Sequence, residues 1–200
     1  MFYVNRMIPH FTARQEIPTA AVRPRNDIYG GAVRNGKINI KLKGSIHMDH
    51  AMKAAELFMG GYNCAQAVAV AFCDVTGLDE KSAARMVSAF GGGMGRMREV
   101  CGAVSGMFFV LSWLYGYDEP IEGGPKKQLY TDVQALAAGF REKCGSIVCR
   151  EILKNPPSDP APSPRTAEYY SSRPCARMVF TAGQLMDEFI AQHPLEERHG

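Results

Sequence analysis

Residues 91–115 read GGGMGRMREVCGAVSGMFFVLSWLY, and this stretch decides the fold class. Its second half lies in a run of eighteen residues without a charged side chain, from Val100 to Tyr117. A run of this length would sit at the short end of the ~17–25 residues that cross a bilayer. Its glycines, serines and cysteine favour a helix buried in a protein core instead. We therefore predict a core helix over 99–115, ended by Gly116, and no membrane span.

Helix signals recur on both sides of this stretch, from residue 49 onwards. Capping residues and glycine or proline breaks delimit each predicted helix. The upstream helices are predicted over 49–59, 63–73 and 79–90, opened by Asp49, Asn63 and Asp79. The downstream helices are predicted over 126–143, from Ser146 to Leu153, and from 172–174 to His193, with a proline-rich loop over 155–164. No strand pattern interrupts the series, which predicts an all-α, compact bundle of five to six helices.

The N-terminal segment differs from the rest in charge. Residues 1–47 carry eight Lys and Arg against Glu16 and Asp27, whereas residues 48–200 carry fifteen basic and eighteen acidic side chains. We expect residues 1–47 to be a basic, poorly structured and flexible leader, or to lie upstream of a natural start at Met48. Residues 48–200 are predicted to be a helical four-cysteine domain. Its mildly acidic balance argues against a nucleic-acid partner.

The six cysteines are too few for a disulfide scaffold in a chain of 200 residues. No signal-peptide pattern opens the sequence. We therefore expect a cytoplasmic protein whose clustered cysteines serve metal or redox chemistry.

Four of the cysteines are predicted to lie in the first turn of a helix: Cys64, Cys101, Cys149 and Cys175. We call them the quartet. A helix N-terminus presents free amide groups and the positive end of the helix dipole, so it stabilises a thiolate and lowers the cysteine pKa. Cys73 and Cys144 fall near predicted helix ends and are expected to pack as small apolar residues.

The quartet is the candidate catalytic and metal-ligating set, and its chemistry stays open at this point. Four converging thiolates could hold an iron–sulfur cluster or zinc, and they could equally form two reactive dithiols without a cofactor. A structural zinc module that binds a partner without electron transfer, or cysteines that only pack, are further alternatives. Because no CxxC pair occurs, spacing alone does not identify a metal. The sequence does not define the oligomeric state.

The glycine-rich segment and the histidines are given no catalytic role. No strand precedes Gly91–Gly93, and no nucleotide-binding spacing follows, so Arg96 and Arg98 are not predicted to cradle phosphate. The glycines instead permit a tight backbone path toward Cys101. Gly102 and Gly106, four residues apart, would let another helix approach closely.

Segments around the quartet resemble the C-GCAxxG-C-C family of redox-active proteins. The central match is GGMGRMREVCGAVSG over 92–106, which contains the CGAxxG element. GYNCAQA over 61–67, GSIVCREIL over 145–153 and Arg173-Pro174-Cys175 resemble the other cysteine motifs. The resemblance covers about residues 50–192, and residues 1–47 lie outside it. It implies a redox role for the four cysteines, and with it a redox protein as partner, without defining the reaction.

Overall fold

A computed structural model describes residues 49–120 and 123–195 of the chain. The predicted leader over 1–47 and the alternative start at Met48 lie outside the described residues. Ten α-helices and no β-strand occur within the described ranges, which confirms the all-α class. The helices are α1 (His50–Met59), α2 (Cys64–Ala71), α3 (Cys73–Thr76), α4 (Glu80–Met86), α5 (Gly91–Met94), α6 (Gly102–Tyr115), α7 (Gly124–Cys144), α8 (Cys149–Ile152), α9 (Ala167–Ser172) and α10 (Cys175–Gln192).

The core forms where the five longest helices, α1, α2, α6, α7 and α10, pack against one another. Helix α6 lies in its interior, with ten of its fourteen residues buried, which confirms the predicted core helix. The largest fully buried side chains include Phe58, Phe72, Phe140, Met107 and Leu111. Burying an apolar side chain of this size stabilises a fold by about 1.5–3 kcal/mol. None of the described helices is both long enough and apolar enough to cross a bilayer.

Two glycines let α6 approach the start of α2. A Cβ atom on Gly106 would lie 2.7 Å from the Ala65 carbonyl oxygen, and one on Gly102 would lie 3.1 Å from the Cys64 Cβ. Both separations are shorter than ordinary contact between such atoms. The close approach predicted for these glycines is therefore confirmed, and it places the start of α6 beside Cys64.

The helix predicted over 79–90 is interrupted. Asp79 caps α4 as expected, since its side chain accepts a hydrogen bond from the Ser82 amide at 3.0 Å. The helix nevertheless ends at Met86, and a 3₁₀ turn covers Ser88–Phe90. A tertiary contact accompanies the break, since the Asn63 Nδ2 group donates a hydrogen bond to the Ser88 carbonyl at 3.0 Å.

Helix α6 begins at Gly102 rather than at the predicted Glu99. The preceding residues pair with the segment before α8, and Val100 and Val148 form an isolated antiparallel bridge. An extended backbone at these residues cannot belong to a helix. The same pairing delays the short helix predicted to begin after Ser146, so that α8 starts at Cys149.

The segment before Cys175 holds a helix that the sequence pattern did not predict. Helix α9 covers Ala167–Ser172, and its N-cap Thr166 accepts a hydrogen bond from the Tyr169 amide at 3.2 Å. The predicted proline-rich loop over 155–164 contains no helix. Helix α10 begins at Cys175, directly after Pro174.

Candidate active site

All four cysteines of the quartet line one cavity of about 50 Å³. Cys64, Cys149 and Cys175 are the first residues of α2, α8 and α10, and Cys101 immediately precedes the first residue of α6. The structure therefore brings together four helix starts that are far apart in the chain.

Cys73 and Cys144 are not among the residues that line this cavity. Cys73 is buried with Val70, Ala83 and Ala84 in a separate small cluster. It begins the single-turn helix α3 after a break at Phe72, whereas it was predicted at the end of a longer helix. Cys144 ends α7, as predicted, and its side chain hydrogen-bonds Thr181.

Asn63 fixes the backbone at Cys64. Its side-chain oxygen accepts hydrogen bonds from the amides of Ala65 and Gln66, each at 3.0 Å, and the Gln66 side chain accepts one from the Asn63 amide. This reciprocal capping box holds the first turn of α2 in place. The sequence predicted Asn63 as the cap, and the structure confirms it.

Backbone pairing places Cys101 beside the segment that holds Cys149. The Cys101 amide donates a hydrogen bond to the Ile147 carbonyl at 2.8 Å, and the Cys149 amide donates one to the Glu99 carbonyl at 2.7 Å. The glycine loop leaves room for this contact, because a Cβ on Gly93 would lie 2.6 Å from the Cys149 Cβ. Gly93 also has a φ of 73°, a conformation that glycine adopts without strain.

Cys64 and Cys175 influence each other's pKa more strongly than any other pair in the quartet. The Cys64 thiol donates a hydrogen bond to the Cys175 sulfur, which lowers the pKa of Cys175 and raises the pKa of Cys64 well above its ordinary value. Burial opposes the decrease at Cys175, and the charges of Arg173, Arg165 and Arg98 support it. Cys175 is thus the quartet cysteine that most readily carries a negative charge.

Burial raises the pKa of the other two thiols. The pKa of Cys101 rises to about 12, although hydrogen bonds from the Ala103 and Val104 amides oppose the change. Burial also raises the pKa of Cys149, although the nearby Arg98 guanidinium opposes the change. The expectation that a helix start lowers the pKa of every quartet cysteine is therefore wrong for these two and for Cys64. Desolvation of a charged thiolate outweighs the field of the helix N-terminus at the buried positions.

Three arginines line the same cavity, and the sequence analysis did not assign them to the site: Arg98, Arg165 and Arg173. The Arg165 guanidinium lies 5.0 Å from the ring centres of Phe58 and Tyr169, and the Arg173 guanidinium lies 4.6 Å from the Tyr169 ring. These distances allow cation–π contacts that hold both groups at the cavity. Arg165 and Arg173 lie on either side of α9, a helix that the sequence pattern did not predict, so the pattern gave no reason to assign them to the site.

The arrangement of the thiols bears on metal binding. Four cysteines are a suitable donor set for zinc or for an iron–sulfur cluster. Within 49–120 and 123–195, however, no three His, Cys, Asp or Glu side chains are placed so that they could hold a metal ion. The metal role of these cysteines therefore stays a prediction.

Comparison with known proteins agrees with the cysteine pattern. A family model described as "Putative redox-active protein (C_GCAxxG_C_C)" matches residues 62–189, which is more than half of the chain. No curated protein and no solved structure matches the sequence. The matched region contains all four quartet cysteines and the three cavity arginines. The chain therefore belongs to the C_GCAxxG_C_C family of redox-active proteins.

Proposed function

We propose that this protein exchanges two electrons with a disulfide substrate through Cys64 and Cys175. The observation that carries the proposal is that both thiols and three arginines line one cavity, where the interaction with Cys64 and the charges of the arginines lower the pKa of Cys175. A thiolate is the attacking species in thiol–disulfide exchange, and a neighbouring thiol can then resolve the mixed disulfide. Cys175 is assigned as the nucleophile and Cys64 as the resolving cysteine.

The proposed reaction has two steps. The Cys175 thiolate attacks one sulfur of the substrate disulfide, the substrate S–S bond breaks, and the other substrate sulfur leaves as a thiolate that takes up a proton. Cys64 then loses its proton and attacks the Cys175 sulfur, which releases the second substrate thiol. The protein dithiol has lost two electrons and become a disulfide, and the substrate disulfide has become two thiols. The reverse sequence oxidises a dithiol substrate.

Cys101 and Cys149 supply the second part of the proposed site. They line the same cavity, and both are buried, with 5% and 6% of their surface exposed. Their raised pKa values make them slow to react from the neutral thiol state. We assign them as a second dithiol that accepts oxidation by exchange with the Cys64–Cys175 disulfide.

A four-thiolate metal centre is the second candidate. The convergence of four cysteines on one cavity supports it. Either an iron–sulfur cluster in electron transfer to a redox protein or a structural zinc in a partner-binding module would use the same residues. The lack of any described set of three ligands in a metal-binding arrangement weighs against it.

The test uses the full chain, purified without oxygen and assayed for iron, sulfide and zinc. The protein is treated with 2-hydroxyethyl disulfide, its remaining thiols are alkylated, and its cysteine links are mapped by mass spectrometry. We expect metal-free protein in which a Cys64–Cys175 disulfide forms. Cys175→Ser should abolish that link, and the matched control Cys73→Ser should retain it. Stoichiometric metal lost from a Cys101→Ser variant, or four quartet thiols left free after oxidation, would overturn the dithiol proposal.

A further inference from the structure

The cavity beside the quartet carries an excess of positive charge. Arg98, Arg165 and Arg173 contribute to its lining, whereas no Asp or Glu does. None of these arginines forms an ion pair with a carboxylate in the part of the chain that the structure describes. A Cys175 thiolate would balance only one of these three positive charges, so a further anion in the cavity would lower their electrostatic energy.

Arg98 is the innermost of the three. Only 3% of its surface is exposed, and its backbone has a φ of 64°, in the left-handed region. Nε donates a hydrogen bond to the Pro157 carbonyl at 2.9 Å, and Nη1 donates one to the Gly92 carbonyl at 3.5 Å. The Nη2 atom is buried and has no hydrogen-bond partner among the described groups. A buried charged donor without an acceptor is costly, and this one belongs to a side chain that lines the cavity.

The other two arginines are more exposed to solvent than Arg98. Arg173 is half-buried and Arg165 is exposed, so positive charge extends from the solvent to the buried Arg98. Helices α2, α6 and α10 also begin at the cavity, and each presents the positive end of its dipole there. A negatively charged substrate would therefore be attracted from the solvent towards Arg98.

We propose that this cavity binds the anionic group, a carboxylate or an oxyanion, of the small disulfide or dithiol that reacts at Cys175. This inference rests on the proposed function, and it adds the class of substrate. The volume of about 50 Å³ admits one compact group beside the sulfurs, since a single water needs about 10–15 Å³ by the same measure. The buried Nη2 atom of Arg98 is assigned as the donor to that group.

Arg98 also lies near Cys149 and favours its thiolate. A role confined to Cys149 would require no external anion, so the experiment has to separate the two roles. Binding is therefore measured first with sulfate, which takes no part in thiol exchange.

The binding experiment follows the thermal midpoint of the reduced full chain against sulfate, at ionic strength held constant with chloride. A ligand that binds only the folded state raises the midpoint with concentration. We expect sulfate to raise it for the wild type and for Arg150→Gln, and not for Arg98→Gln. Arg150 is the matched control, because it is exposed, pairs with Glu99 and does not line the cavity. If Arg98→Gln fails to fold, Arg173→Gln replaces it. An equal response of wild type and variant, or no response beyond chloride, would overturn the inference.

The substrate experiment compares three disulfides that differ in charge: dithiodiglycolate, 2-hydroxyethyl disulfide and cystamine. We expect the anionic compound to oxidise the wild type at least about tenfold faster than the neutral one, the lower end of electrostatic rate effects. Cystamine should be the slowest, and Arg98→Gln should lose the preference. Equal rates for the three compounds would overturn the assignment of an anionic substrate, even if sulfate binds. Sulfate binding with no reaction of any disulfide would instead show that the dithiol proposal has failed.

Discussion

The amide of Cys101 donates a hydrogen bond to the Ile147 carbonyl at 2.8 Å, and this contact joins the second cysteine motif to the third. A matching bond from the Cys149 amide to the Glu99 carbonyl completes the pairing. Two of the four site cysteines are thus positioned through main-chain hydrogen bonds. Cys64 depends instead on the Asn63 cap of α2, and Cys175 depends on the packing of α10. The two pairs of cysteines are therefore positioned by different interactions, which can be removed separately by substitution.

The first prediction concerns the reactivity of Cys175. Since the hydrogen bond from Cys64 and the neighbouring arginines lower the pKa of Cys175, iodoacetamide should alkylate it at a lower pH than any other quartet cysteine. Cys64→Ala removes the hydrogen bond, so the pH profile of Cys175 alkylation should move to higher pH. Mass spectrometry of partially alkylated protein measures both effects.

Cys73→Ala is the control for this shift, because Cys73 lies in a separate cluster and should leave the profile unchanged. Faster alkylation of Cys101 or Cys149 than of Cys175 at neutral pH would contradict the assignment.

The second prediction concerns the contact between α6 and α2. Gly106→Ala would place a methyl group 2.7 Å from the backbone oxygen of Ala65, which cannot move without shifting α2. We expect a loss of about 1–3 kcal/mol in the free energy of unfolding, measured in urea. The oxidation of Cys64 should also slow, because α2 begins at that residue.

Gly139→Ala is the matched control on α7. Its Cβ would meet only the Leu185 Cδ2 atom, at 3.3 Å, and that side chain can adjust. Alanine also gains about 0.5–1 kcal/mol over glycine within a helix. This variant should be as stable as the wild type or more so, and a loss equal to that of Gly106→Ala would refute the packing argument.

The sequence was most informative where the signal is local. Asp49, Asn63 and Asp79 are side chains that cap helices within three residues of themselves, and all three caps were predicted correctly. The uncharged run that became α6 was also recognised, because a helix buried on most sides needs no polar face. The quartet followed from such local signals as well, through its placement near helix starts.

The sequence was least informative where a distant segment determines the backbone or the charge. The bridge between Val100 and Val148 joins residues 48 positions apart, and it delays the start of α6. No local pattern indicates that pairing. The predicted decrease in the pKa of Cys101 was wrong for the same reason, since the burial that raises this pKa depends on the assembled core. Arg165 and Arg173 flank α9, which the pattern did not predict, and only the proximity of Arg173 to Cys175 in the sequence could have indicated a role.

The third prediction separates capping from charge at Asn63. Asn63→Ala removes the cap of α2 and should cost about 0.5–2 kcal/mol of stability. Asn63→Asp keeps an oxygen that accepts from the Ala65 and Gln66 amides, and it adds a negative charge at the cavity. Asn63→Asp should therefore retain more stability than Asn63→Ala, yet move the alkylation profile of Cys175 to higher pH.

Asp49→Ala supplies the comparison for Asn63, because it removes the cap of α1 away from the cavity. It should lower stability by a similar amount without changing thiol reactivity. If Asn63→Asp left the Cys175 profile unchanged, the electrostatic account of the site would be wrong.

The last prediction concerns His50, which the sequence analysis gave no catalytic role and which joins three helices. The residue is 4% exposed, and its ring stacks on Phe72 with ring centres 4.2 Å apart and contacts two carboxylates. Nδ1 lies 2.5 Å from Asp187 and Nε2 lies 3.2 Å from Asp74. Burial alone would lower the pKa of His50, but the hydrogen bonds and charges of Asp187 and Asp74 outweigh it, so the pKa is raised above 6.5.

A raised pKa in the folded state means that the folded chain holds the proton more tightly than the unfolded chain. The resulting stabilisation is complete below pH 6.5, the ordinary histidine value, and is lost as the pH rises through the higher pKa of the folded state. The free energy of unfolding, measured in urea across this range, should therefore fall with increasing pH. His50→Gln should remove that dependence and lower stability at acidic pH, whereas His193→Gln should preserve it. A wild-type stability that rises over the same range would contradict the charged His50 bridge between Asp74 and Asp187.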